Sequence, residues 1–107
     1  MTTFFISRHP GAIAWATQQR LKIDRFLTHL DPGVVRPGDT VIGTLPIHLA
    51  AQVCELGGRY FHLALDLPDE LRGRELSAEE ITAHGGRVER YRVARETGTL
   101  REDVTLP

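Results

Sequence analysis

The sequence predicts an α/β fold: a small, mostly parallel open sheet of two tandem strand–helix–strand units, with helices on both faces. Three observations predict it. Short apolar runs alternate with segments of helical period. A proline opens each helical segment, Pro10 and Pro46, where its missing N–H is no loss. And Pro10 to Pro32 and Pro46 to Pro68 are each 22 residues apart, so the punctuation of one unit recurs in the next.

The elements follow in order. Residues 3–8, TFFISR, are an apolar run ending on a charge and read as a buried strand. From Pro10 the residues Ala12, Ile13, Ala16 and Leu21 are spaced for one face of a helix. Phe26 to Leu30 is the second strand, stopped by the turn Asp31-Pro32-Gly33. Thr40 to Ile42 is the third strand, Gly43-Thr44-Leu45-Pro46 a turn, and Ile47 to Leu56 a helix closed by Gly57-Gly58. Tyr60 to Leu67 is the fourth strand. Residues 69–107 hold 16 of the 27 charged side chains, which makes this third a flap and surface. Within it, Ser77-Ala78-Glu79-Glu80 matches a capping box that starts a helix ended by Gly85-Gly86. Residues 87–95 read as an edge strand, with a helix through the glycines as competitor, and 96–107 as a frayed tail.

Crossovers between parallel strands are right-handed. Two such units side by side give the strand order 2-1-3-4 and send the two helices to opposite faces. Between the central strands lies the switch point where open α/β sheets bind ligands. Ser7–Pro10 and Gly43–Pro46 both fall there.

Bulk properties narrow the function. At 107 residues the chain is expected to be one domain. A net charge of −1 excludes holding a long nucleic acid by counterion release, but not a short phosphorylated ligand bound by a local cluster. A single cysteine, Cys54, excludes an internal disulfide, fits a reducing compartment and reads as a small core residue. No apolar run approaches the ~20 residues that cross a bilayer. The expectation is a cytoplasmic protein without membrane contact. The histidines and the cysteine show no metal-ligand spacing, so neither a metal nor another cofactor is expected.

Ser7-Arg8-His9-Pro10-Gly11 is the most specific stretch, because it sets a hydroxyl, a guanidinium and an imidazole at a helix start that attracts anions. Ser7, Arg8 and His9 are the candidate catalytic residues. Arg8 either grips a phosphate or pairs with a carboxylate such as Asp66; Ser7 either serves the ligand or caps the helix. Gly11 and Gly43 are read as clearance for a ligand against the backbone. The Thr44 hydroxyl either caps the second helix or binds phosphate. Pro10, Leu45, Pro46, His48 and Asp66 complete the expected ligand contacts. Arg72 and Arg74, flanking Gly73, form either a clamp over a phosphodiester or ordinary ion pairs with Glu70 and Glu75. His62 reads as a hydrogen-bonded core residue, and His29 and His84 carry no signal.

Ser7-Arg8-His9-Pro10-Gly11-Ala12, Gly43-Thr44-Leu45-Pro46, Leu65-Asp66-Leu67-Pro68 and Arg72-Gly73-Arg74-Glu75-Leu76 together resemble the Csx-sixteen family of small CRISPR-associated proteins, which accompany type III systems. The similarity spans most of residues 3–93. It implies a compact, Rossmann-like relative of the CRISPR-associated Rossmann-fold (CARF) domains. It also implies a homodimer that binds a cyclic oligoadenylate across its two-fold axis, and ring-nuclease activity that opens cyclic tetra-adenylate. The alternative within the same system is a non-catalytic binder that sequesters the messenger. From a different class, Arg8-His9 resembles the Arg-His-Gly motif of histidine phosphatases, but Pro10 stands where that motif has glycine and the chain lacks room for that larger fold.

Overall fold

Residues 1–96 are described by the computed structural model. The elements run β1 (Thr3–Ile6), α1 (Pro10–Gln18), β2 (Arg25–Leu27), β3 (Thr40–Gly43), α2 (Ile47–Glu55), β4 (Arg59–Ala64), α3 (Ala78–Ala83) and β5 (Arg87–Tyr91). Successive strand residues face opposite ways, and in β1 both ways are apolar. Phe4 and Ile6 point to one face and Phe5 to the other, all buried. On the first face they meet Val41, Tyr60 and, from α2, Ala50 and Val53. On the second, Phe5, Ile42 and Leu63 pack against Ala12, Trp15 and Ala16 of α1 and Ala78 and Ile81 of α3. Helices therefore cover both faces, as expected.

The sheet has the order β2-β1-β3-β4-β5. The first four strands are parallel and stand in the predicted order 2-1-3-4; β5 adds antiparallel to β4 as an edge. This is an α/β, Rossmann-like open sheet. The edge strand expected in 87–95 is present over Arg87–Tyr91 only, and the competing helix is not.

Boundaries differ where tertiary contacts decide them. α1 stops at Gln18 rather than carrying on to Leu21. Arg20 turns left-handed at φ 56, and Leu21 N–H closes on Ala16 C=O at 3.3 Å. β4 stops at Ala64, not Leu67, because its pairing with β5 ends at Ala64–Arg87 and Asp66 N–H turns to the His84 carbonyl at 2.8 Å. The capping box is complete: Glu80 N–H donates to Ser77 Oγ at 3.1 Å and Ser77 N–H to Glu80 Oε1 at 3.0 Å. Cys54 packs partly buried against the α2-face core, with its Sγ accepting from Val93 N–H. The expected tail lies, past Glu96, outside the described residues. Among the described residues no helix is long and apolar enough to cross a membrane.

Candidate functional site

Pairing register fixes the site. Ile6 lies opposite Gly43, the last residues of β1 and β3, so the chain leaves the sheet at neighbouring points on one rim. β2 ends beside them, with Ser7 N–H donating to Leu27 C=O at 2.9 Å. α1 then departs to one face and α2 to the other, opening a crevice. It forms two clefts around the first turn. One, about 150 Å³ on the α1 side, has an apolar floor including Phe5, Leu63 and Ile81 and a mouth of Ser7, His9, Thr44 and Arg74. The other, about 360 Å³ at the first turn of α2, is lined by Ser7, Arg8, His9, Thr28, His29 and Thr44 above Leu30, Leu45, Pro46 and Leu49. Ser7, His9 and Thr44 line both.

In the first turn, Ser7 Oγ accepts from His9 N–H at 3.0 Å. The hydroxyl thus shapes the turn rather than capping α1, whose N-cap is His9 with no side-chain bond. Its own proton is left for a ligand acceptor. Arg8 is exposed and forms no ion pair among the described residues. The alternative reading, an Arg8–Asp66 pair, is absent: Asp66 is bonded to Arg87 of the neighbouring strand β5 at 3.3 and 3.4 Å. His9 Nδ1 lies 2.9 Å from Glu75 Oε1. α2 likewise begins without a side-chain cap, at Pro46, so Thr44 is not its cap. Both helix starts at this rim leave their dipole ends to the clefts.

The second turn is held from below. The buried Tyr60 hydroxyl accepts from Leu45 N–H at 3.0 Å and donates to Gly43 C=O at 3.1 Å. His62 Nδ1 sits 2.7 Å from the same oxygen. Burial pushes the Tyr60 phenol up from its ordinary value, partly offset by the Leu45 N–H. His62 is thus hydrogen-bonded within the fold, as its place in the strand predicted.

Both glycines have structural reasons, and Gly43 also lines the smaller cleft. A Cβ on Gly43 would lie 2.9 Å from the Ile6 carbonyl oxygen, and one on Gly11 would run into the backbone carbonyl of Leu76. They allow β1 to approach β3 and α1 to seat on the segment before α3.

Other expected residues divide. Arg74 lines the smaller cleft while its Nη2 donates to Glu80 Oε2 at 3.1 Å. Leu45 and Pro46 line the larger cleft. Arg72 is bonded to Asp69 at 3.2 Å, and Arg72, His48, Pro10, Gly11 and Asp66 line neither cleft. The expected partners Glu70 and Glu75 for the two arginines are replaced by Asp69 and Glu80. Thr28 and His29 were not placed in the site by sequence, and Glu75 was read only as an ion-pair partner of the arginines. Thr28 and His29 had a usable signal: the order 2-1-3-4 sets whatever follows β2 beside the first turn. Glu75 had none, since its partner is 66 positions away. Among the described residues no group of three or more His, Cys, Asp or Glu side chains could hold a metal ion.

No curated protein and no solved structure matches the chain. One family model does, that of the CRISPR-associated protein family Cas_VVA1548, over residues 4–94. Its span takes in both turns, the Arg74–Glu75 segment and β5. The chain belongs to this CRISPR-associated family.

Proposed function

We propose that this protein is a ring nuclease of type III CRISPR signalling. It binds a cyclic oligoadenylate, cyclic tetra-adenylate by preference, and opens it to switch the response off. One observation carries the proposal: Ser7, His9 and Thr44 line both clefts at the switch point, next to Arg8, a guanidinium with no carboxylate of the described residues on it. Family membership and the resemblance of the four motifs support it.

A ring of four phosphates matches the symmetry of a two-fold dimer, so a CARF-like homodimer needs one such cluster from each subunit. The step is a transesterification. A ribose 2′-oxygen attacks the adjacent phosphorus in line, the bond from phosphorus to the 5′-oxygen breaks, and a 2′,3′-cyclic phosphate and a 5′-hydroxyl result. Proton count is unchanged. Holding the hydroxyl in line supplies several kcal/mol, up to about 7–11 in favourable cases. Arg8 and backbone N–H groups stabilise charge growing on the phosphate oxygens. His9 takes the hydroxyl proton or protonates the leaving oxygen. It is favoured over His48 because it lines both clefts and His48 lines neither.

Thermal shift with a panel of cyclic oligoadenylates tests ligand class and ring size, since a ligand at 100 times its Kd adds about 2.7 kcal/mol. Chromatography of cyclic tetra-adenylate after incubation in EDTA tests the chemistry. Linear products ending in a cyclic phosphate are expected. An intact ring with a raised melting temperature replaces the nuclease with a sequestering binder, and no shift with any ring removes the ligand class.

A further inference from the structure

The contact between His9 Nδ1 and Glu75 Oε1, at 2.9 Å, joins the first turn to the segment before α3. It is no chance meeting of two long side chains. Beside it, α1 butts against the Leu76 carbonyl, where only Gly11 fits. On the other side Arg74 is tied to Glu80 of the capping box. Glu75 is thus flanked by a close backbone contact at Leu76 and a side-chain tie at Arg74. The pair itself is more than half exposed, 57% and 69%, and contributes little to stability. Its consequence is chemical. A carboxylate only accepts, so the ring must present Nδ1–H to it, and in the neutral imidazole the lone pair is then on Nε2. A free neutral imidazole in water prefers the opposite tautomer.

We propose that Glu75 is the positioning residue of the site: it holds His9 as the Nδ1–H tautomer and makes Nε2 the nitrogen that exchanges a proton with the ring phosphodiester. The role of Nε2 rests on the ring-nuclease proposal; the tautomer does not. Glu75 touches no reacting atom and works through His9.

Two measurements test this separately. Ring-nitrogen NMR shifts of His9, taken where the imidazole is neutral, should show hydrogen on Nδ1 in the natural protein and in Glu75→Gln, whose amide oxygen still accepts. They should show mostly Nε2–H in Glu75→Ala. The same tautomer in natural protein and Glu75→Ala overturns the assignment. In single-turnover cleavage of cyclic tetra-adenylate, Glu75→Ala should lower the rate constant roughly tenfold to a hundredfold. Ligand dissociation constant and melting temperature should stay unchanged, and Glu75→Gln should restore most of the rate. An unchanged rate in Glu75→Ala overturns the positioning role. A natural protein that leaves the ring intact overturns the nuclease proposal instead, and the NMR shifts still decide whether Glu75 sets the tautomer.

Discussion

Where the parallel strands begin, Asp39 is buried at 5% exposure and both its carboxylate oxygens are occupied, by Thr2 N–H at 2.8 Å and Arg36 N–H at 2.9 Å. Asp24 nearby accepts from Thr3 N–H at 2.7 Å. Where the strands end, Arg8 has no carboxylate of the described residues on it, α1 and α2 start without side-chain caps, and Ser7 and Thr44 line open clefts. For these carboxylates and helix starts, one end of the sheet is saturated and the other is open. Capping is within this chain's means, since α3, away from the rim, has the full reciprocal box. Helix starts left uncapped beside open clefts are what a ligand site requires, because folding otherwise satisfies such groups.

The sharpest way to break that contrast is Arg8→Ala. Removal of an exposed residue with no ion-pair partner among the described residues should leave folding stability within about 0.5 kcal/mol. On the ring-nuclease proposal, loss of its charge should lower cleavage of cyclic tetra-adenylate about 100- to 1,000-fold. Arg8→Lys should fall between, since a point charge lacks the bidentate fork. Single-turnover cleavage and urea denaturation on the same preparations give both numbers. A large stability loss with unchanged cleavage would make Arg8 structural and end the distinction between the two ends.

Tyr60→Phe sharpens it, because Tyr60 is a saturated group at the open end. Removing the hydroxyl strands Leu45 N–H, Gly43 C=O and His62 Nδ1 together. The expected loss is about 1–3 kcal/mol in urea denaturation. Weaker ligand binding should accompany it, as Thr44 sits on the released turn. Stability equal to that of the natural protein would mean that water replaces the network and that the second turn is held by packing alone.

How much of this was legible in the sequence follows the range of the interactions. Strand order came from local punctuation: two prolines starting helices, two more closing units, and glycine pairs after the helices. The capping box was read from Ser77 and Glu80 because both halves lie within one turn. The site's location followed, since topology alone brings Ser7 and Thr44 together. Partners did not follow. Asp66 lies after the fourth strand and looked available to Arg8, but the antiparallel β5 delivers Arg87 to it first. Glu75 and Tyr60 act on the turns from 66 and 15 positions away. Gly11 and Gly43 were recognised as places needing no side chain; whether a ligand or a neighbouring strand claims the space is a tertiary fact.

Acid titration yields the smallest effect and assigns it to the saturated end. The Thr2 N–H first, then the Arg36 N–H, hold the Asp39 carboxyl below its ordinary value of 3.8, against burial, which pushes it up. Glu80 is held low by the Ser77 N–H and, more weakly, by Arg74, again with burial opposing. For a carboxyl whose folded pKa is depressed, the unfolded chain binds more protons in this range. The stabilisation is present above the unfolded value and is lost as pH falls through the folded one. The urea midpoint should therefore stay level from neutral pH to about 5 and decline below about 4. Asp39→Asn should lower the neutral-pH midpoint and flatten part of that decline, and Glu80→Gln should flatten another part. Arg8→Ala should leave its shape untouched, because no carboxylate of the described residues leans on Arg8. If Arg8→Ala bent the acid limb as Asp39→Asn does, Arg8 would be part of the folding electrostatics, and the open end would be open in appearance only.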